Sequence, residues 1–307
     1  MSHFGPAIAW SRAGKKPSAV KMTPDSQKDK VMSLNSVNTN VGAMIALENL
    51  NATQTQLQKA QNQINTGLKI ASAKDDGSTW AIAQNQRAQV LSLDSVKNSL
   101  SRGQSALDVA ISAGTSISDL LSQMKALALS ASDQGLNTTD RTALNDQFQS
   151  LRDQITTIVT NADFNGTNII KSGGTTIYAL ANADGTSKIT VAAEDLSLAG
   201  SNVGLTATST LGTATTAGTM VGTLQTALDN VSAALAKLGT GSNALNTHMT
   251  FITSLQDSLN SGISNLVDAD LAKESATLQA LQTKQQLGVQ ALSIANSSTS
   301  ILLSLFR

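Results

Sequence analysis

Residues able to do chemistry are scarce in this chain of 307 residues. It has two histidines, His3 and His248, and no cysteine. Two isolated imidazoles cannot supply a zinc hydrolase, whose metal needs clustered His or an HExxH helix, and without thiols neither thiol redox catalysis nor a thiolate metal site is available. Asp75 and Asp76 are adjacent carboxylates. An acid/base pair must converge on one substrate, which neighbouring side chains rarely do, and no nucleophile or phosphate-binding glycine loop accompanies them. A helix cap or a subunit contact is the better assignment. His248 lies beside Met249, on the flank of a helical seam, with no catalytic partner in reach of the sequence pattern. The expectation is a non-enzyme with no cofactor and no metal.

Charge and hydropathy exclude further classes. Lys and Arg total 21, as do Asp and Glu, so no net positive field draws in nucleic acid. No stretch approaches 18 consecutive apolar residues and no apolar signal-peptide core stands near the start, which argues against membrane insertion and against Sec-type export. If the protein leaves the cell, another route carries it.

What must position the remaining residues is a set of long helices. Pro6, Pro17 and Pro24 all precede Met32, and none follows. Interior proline removes a helix hydrogen bond and costs about 3 kcal/mol, so its absence suits long helices. Residues 1–31, rich in Pro and basic side chains, read as a disordered extension outside the natural product, non-native or from a misassigned start, the alternative being a flexible functional arm. From Val221 to Leu266, steps of three and four give Val221, Leu224, Leu228, Val231, Leu235, Leu238, Ser242, Leu245, Met249, Ile252, Gln256, Leu259, Ile263 and Leu266, with twelve of fourteen positions apolar. A second seam runs Leu93, Val96, Leu100, Gly103, Leu107, Ala110, Gly114, Ile117, Leu121, Met124 and Ala128. Its small residues admit a close neighbour. A helix from near Ser78 to Ala131 would be roughly 80 Å long. Leu144, Phe148, Leu151, Ile155 and Ile158 form a third seam after a short turn at 132–137, so this helix should fold back along its predecessor, capped by Thr138, Thr139 or Asp140.

The outer segments, Leu34 to Leu68 and Leu271 to Leu302, are helical but weaker, with Gln, Glu, Gly and Thr in their seams. Such mixed faces suit several neighbours rather than one. Between the long helices, Thr175 to Leu180 and Lys188 to Ala192 flank Asp184 and Gly185, which predicts a small β-hairpin. Residues 200–218, mostly Gly, Ser, Thr and Ala, read as a surface loop or vestigial insertion. Trp80, Phe148, Phe251 and Phe306 read as packing residues.

In this order the motifs resemble bacterial flagellin. Asn38, Thr39 and Asn40 stand near the start, followed by Ile64 through Ile70 and then Ala71, Ser72, Ala73, Lys74, Asp75 and Asp76. Phe164, Asn165 and Gly166 follow the third helix, Asp268, Ala269 and Asp270 precede the last, and Leu302 to Arg307 close the chain. The segment Val41 to Leu47 looks like flagellins of alphaproteobacteria.

The resemblance implies a mainly α fold, a long antiparallel helical coiled-coil rod with a small β-hairpin and paired terminal helices. By this division residues 32–70 and 266–307 are filament-core helices, 71–194 and 218–265 form a tube domain, and 195–217 is a short variable loop. Filament-core packing falls to Val37, Val41, Leu50, Leu57, Ile64, Leu271, Leu278, Leu281, Leu292 and Leu302. Tube packing falls to Leu100, Leu107, Ile117, Leu121, Phe148, Ile155, Leu228, Leu235, Met249 and Ile252, and Ser72 to Asp76 link the two parts. The implied function is that of a subunit of the flagellar filament, extracellular and used for swimming, exported unfolded through the flagellar apparatus and folded on assembly. Implied partners are other copies of the chain as a helical homopolymer, flagellin paralogues, the hook–filament junction and cap proteins, and an export chaperone. A hook–filament junction protein is the alternative, since it resembles flagellin at both ends. A coiled-coil adhesin would need a larger exposed domain than the middle provides.

Overall fold

The computed structural model describes residues 39–304, with side chains through Ser297. Val37 and the side chain of Leu302 lie outside the described residues, as do residues 1–31 and Phe306. The elements are α1 (Val41–Thr66), α2 (Gly77–Ala131), α3 (Thr138–Asn161), β1 (Ile177–Leu180), β2 (Lys188–Val191), α4 (Ala214–Val267) and α5 (Leu271–Ser304). The described residues form two compact units, one of residues up to Gln61 and from Ser275 onward, the other Asn62–Glu274.

Helix α2 spans 55 residues, about 80 Å at 1.5 Å per residue. It starts where Asp76 accepts from the backbone of Ser78 and Thr79. At its far end Arg141 donates to the carbonyls of Ala131 (3.0 Å) and Asp133 (2.7 Å), supplying donors that the last turn lacks. Helix α3 is capped not by Thr138, Thr139 or Asp140 but by Asn137, whose extended backbone lets its side chain accept from the Asp140 amide at 2.9 Å. Thr213 and Thr216 form a reciprocal capping box at the start of α4.

Within the 62–274 unit, α2 and α4 pack antiparallel. Gln104 meets Ser242, Lys125 meets Gln225, and Val90 and Asp94 meet Gln256. The α2 glycines permit close approach: a Cβ at Gly114 would lie 2.7 Å from Leu235 Cδ2, and one at Gly103 would lie 3.3 Å from Leu245 Cδ1. Leu100, Leu107, Ile117, Leu121, Phe148, Ile155 and Ile252 are buried together in one core. Leu228, Leu235 and Met249 pack against its edge, while Ala227, Val231 and Ala234 occupy the deeper stripe of α4. Small side chains take the closest positions because the helix axes approach there.

The hairpin forms as expected, pairing Ile177 with Val191 and Leu180 with Lys188. Its loop is longer than a two-residue Asp-Gly turn: Ala181 N–H donates to Ser187 O, and Gly185, at φ +70°, closes a turn inside it. Ile177 and Val191 project toward α2 and α4 at glycines. A Cβ on Gly241 would lie 2.7 and 2.9 Å from the two methyls of Val191. Valine in a strand has little χ1 freedom to retreat. Gly241→Ala is therefore expected to lose about 1 kcal/mol net, as overpacking outweighs the usual helix gain from alanine. Gly222→Ala, with nothing near its Cβ, should instead gain about 0.5–1 kcal/mol. Urea unfolding of the two variants checks the opposite signs.

Residues 195–217, expected as a short variable loop, with 200–218 read as a surface loop or vestigial insertion, depart from the surface-loop expectation. Leu196, Val203, Leu205, Leu211 and Ala217 are buried in the core of the long helices. Leu196 N–H donates to Ile170 O, Leu211 N–H donates to Asn145 Oδ1, and Arg152 of α3 donates to the carbonyls of Ala207 and Ser209. Composition concealed this because a few apolar residues spaced along Gly, Ser and Thr are enough to plug a core edge. The exposed part is confined to short stretches such as Thr206 to Thr208.

Candidate assembly surfaces

Helices α1 and α5 of the terminal unit bury few side chains. The apolar cluster consists of Leu57, Ala60 and Leu281, with Leu278 packed against it. Gln285 donates to Gln54 Oε1 at 2.6 Å, Asn40 donates to Ala295 O at 2.7 Å, and a Leu50 methyl lies 3.4 Å from the Cβ position of Gly288. Sequence periodicity marked Gln54, Gln285 and Gly288 only as interruptions of the seams. Val41, Leu50, Ile64, Leu278 and Leu292 are half-buried, and Leu271 is exposed. Beyond them, among the described residues, stand large apolar side chains that are about half or more exposed: Met44, Ile45 and Leu47 on α1, and Leu287, Val289 and Ile294 on α5. Such faces are what an interaction surface looks like before its partner arrives.

In the larger unit the segment Ser72 to Asp76 follows a backbone crossing between residues 67–70 and 267–269 and carries short-range bonds of its own. Lys69 and Ile70 N–H groups donate to Val267 O, Ala269 N–H donates to Gly67 O, and Leu68 pairs with Asp268 in an antiparallel bridge. Ile70, Ala83, Ile263 and Val267 bury together beside this crossing, with Trp80 against them. Asp75 Oδ2 accepts from the amides of Ala71 and Ser72 and from the Ser72 hydroxyl. Asp76 accepts from the amides of Ser78 and Thr79 and, at 2.7 Å, from the Thr79 hydroxyl. Ala73 and Lys74 are exposed. Each carboxylate thus serves backbone geometry.

The Thr79 hydroxyl first, then the Thr79 and Ser78 amides and the charge of Lys69, hold the Asp76 carboxyl below its ordinary value of 3.8. A depressed folded-state value means that the ionised cap contributes above about pH 3.8 and is lost as pH falls through the lower folded value. The Ser78 and Thr79 amide chemical shifts are expected to titrate together with a midpoint below 3.8. A midpoint above 3.8 would contradict the cap geometry.

His248 Nε2 lies 2.7 Å from Ala181 O, and its ring lies 5.6 Å from Phe251. This contact ties α4 to the hairpin loop. Phe251, read from the sequence as a packing residue, is 55% exposed, because it falls one step outside the buried stripe that runs through Ile252. Among the described residues no group of three His, Cys, Asp or Glu side chains could hold a metal ion, and no helix is long and apolar enough to cross a membrane.

The family model for the bacterial flagellin N-terminal helical region matches residues 37–176, and that for the C-terminal helical region matches residues 221–306. Flagellin FljK of Caulobacter vibrioides is 60% identical over 276 residues, covering 90% of this chain and all of the relative. A flagellin of Brucella melitensis is 36% identical over 281 residues, covering 89% of this chain and 99% of the relative. A crystal structure of Bacillus cereus flagellin aligns with a TM-score of 0.45 and 27% identity, covering 50% of this chain and 88% of that one. With family models matched at both ends and full-length relatives at this identity, the chain belongs to the bacterial flagellin family, alphaproteobacterial type.

Proposed function

We propose that this flagellin is a structural subunit that polymerises with copies of itself into the extracellular flagellar filament used for swimming. The observation that carries the reading is the pair of terminal helices whose large apolar side chains, Ile45, Leu47, Leu287, Val289 and Ile294 among them, are about half or more exposed among the described residues. Repeating subunits cover such faces mutually in an open, non-closing lattice. Relatives named flagellins, matched over their whole or nearly whole length, support a filament subunit over the hook–filament junction alternative.

The finer assignments are part of the same proposal. Val37, Val41, Leu50, Leu57, Ile64, Leu271, Leu278, Leu281, Leu292 and Leu302 pack the filament core, and Ser72 to Asp76 join it to the tube formed around α2, α3 and α4. The chain leaves the cell unfolded through the flagellar export apparatus, escorted by a chaperone. It then meets cap and junction proteins and other flagellins in the growing structure. A body without cysteine, and without proline after Met32, favours rapid folding at the tip, where neither disulfide exchange nor Xaa-Pro isomerisation delays it.

The test is seeded growth from short filament fragments, viewed by negative-stain electron microscopy, with the full chain and with a form beginning at Met32. Long thin filaments from at least one form are expected. Absence of elongation from both would overturn the assignment.

A further inference from the structure

An apolar groove on the larger unit has no role in the packing described so far. It holds about 210 Å³. Leu93 of α2 and Ile252, Leu255 and Leu259 of α4 line it, Ala181 and Ala183 of the hairpin loop close one side, and Phe251 stands at its edge. The only polar lining residues are Gln89 and Asn182, both uncharged. The hairpin loop that makes this side is held in place by the His248 contact to Ala181 O at 2.7 Å. The groove is therefore a built feature, formed by three elements and fixed by a hydrogen bond.

We propose that this groove is an assembly contact, occupied in the filament by apolar side chains of a second copy of the chain. The inference rests on the filament reading and names a surface for it. Three observations favour another copy as the occupant. The chain belongs to a polymer-forming family. Identical subunits in an open lattice join by unlike surfaces, so a groove on one can receive protruding groups of the next. The same unit carries protruding groups of the right chemistry, since Ile82, Leu91, Leu129 and Tyr178 are large, apolar-bodied and at least half exposed. An uncharged groove also brings no charge of its own against a neighbour of the same charge pattern.

Because the chain contains no cysteine, a single engineered thiol reads the groove directly. Gln89→Cys places one at the exposed rim. Maleimide labelling of this variant is expected to slow at least tenfold in filaments relative to monomer. Two further variants test function: Phe251→Asp puts a charge at the edge, and Ala183→Trp fills the groove from its own side. Both are expected to raise the concentration needed for filament growth at least tenfold, with helical circular dichroism and melting temperature of the monomer unchanged. Growth at the unmodified threshold by both variants, or Gln89→Cys labelling equally fast in monomer and filament, would overturn the proposal. Should a groove variant fail to fold, the labelling result alone decides. Failure of the unmodified chain to elongate seeds would instead remove the filament reading beneath it.

Discussion

Backbone amides of Leu50 and Leu278 are expected to exchange in dilute monomer at close to unstructured rates, and to slow at least about a thousandfold once the subunit is in a filament. Helix α1 has 26 residues and α5 has 34, yet among the described side chains their buried apolar ones are Leu57, Ala60 and Leu281. Ordering one residue's backbone costs about 1–2 kcal/mol, so one large buried side chain, at about 1.5–3 kcal/mol, offsets only one to three residues. Helices in proteins owe most of their stability to packing of an apolar face. Here, among the described residues, Ile45, Leu47, Leu287 and Val289 on that face are exposed, and in the proposed filament neighbouring subunits would supply their partners. Amides at Leu100 and Leu107, whose side chains are fully buried in α2, should be protected in both states and serve as the internal control. Strong protection at Leu50 and Leu278 in dilute monomer would contradict both the energetic argument and the assignment of these helices to the filament core.

Helical periodicity made the long elements legible and left their partners unreadable. The α4 seam carried two polar interruptions, Ser242 and Gln256, which a one-dimensional pattern records only as imperfections. In the fold they are contacts. Gln104 donates to Ser242 Oγ at 2.7 Å, and Gln256, 6% exposed, donates to Val90 O at 3.2 Å and Asp94 Oδ1 at 2.8 Å. A polar layer inside an antiparallel helix pair favours one axial register, because sliding would leave its groups unpaired in an apolar seam. The Gln256 layer also lies between the larger core and the small cluster of Ile70, Ala83, Ile263 and Val267. Partner identity depends on residues more than 130 positions away, which no local window contains.

The buried middle segment was hidden for a related reason. Leu196, Val203, Leu205 and Leu211 have neither a period of two nor of 3.6, because the backbone between them turns at Gly200 and Gly204 rather than following a helix or strand. Their common burial is a property of the surface they cover. The packing residues read from the seams divided along the same line: positions on the α2 seam lie in the core, whereas those on the terminal seams are mostly half-buried among the described residues. Asn168 was missed altogether. It is buried, donates to Val159 O at 2.7 Å and accepts from the amides of Ile170 and Lys171, and its only sequence signal was proximity to the Phe164, Asn165, Gly166 motif.

Phe148→Ala is expected to cost about 3–5 kcal/mol of monomer stability, lowering the melting temperature by roughly 6–20 °C for a unit of this size. Phe148 is fully buried, and of the other α3 side chains only Ile155 and Val159 are comparably enclosed. Losing its ring leaves a cavity that long, close-packed neighbours cannot collapse to fill. Helix α3 also holds the middle segment, through Asn145 to the Leu211 amide and Arg152 to the carbonyls of Ala207 and Ser209. Loosening α3 should therefore expose amides at Leu205 and Leu211 as well as its own. Phe251→Ala supplies the contrast: a ring of equal size but 55% exposed, whose removal should shift stability by no more than about 0.5 kcal/mol. If the two aromatics differ in this way by calorimetry while Phe251→Ala weakens filament growth, one phenylalanine holds the subunit together and the other joins it to its neighbour. Equal losses of monomer stability would place Phe251 in the fold and take it out of the assembly surface.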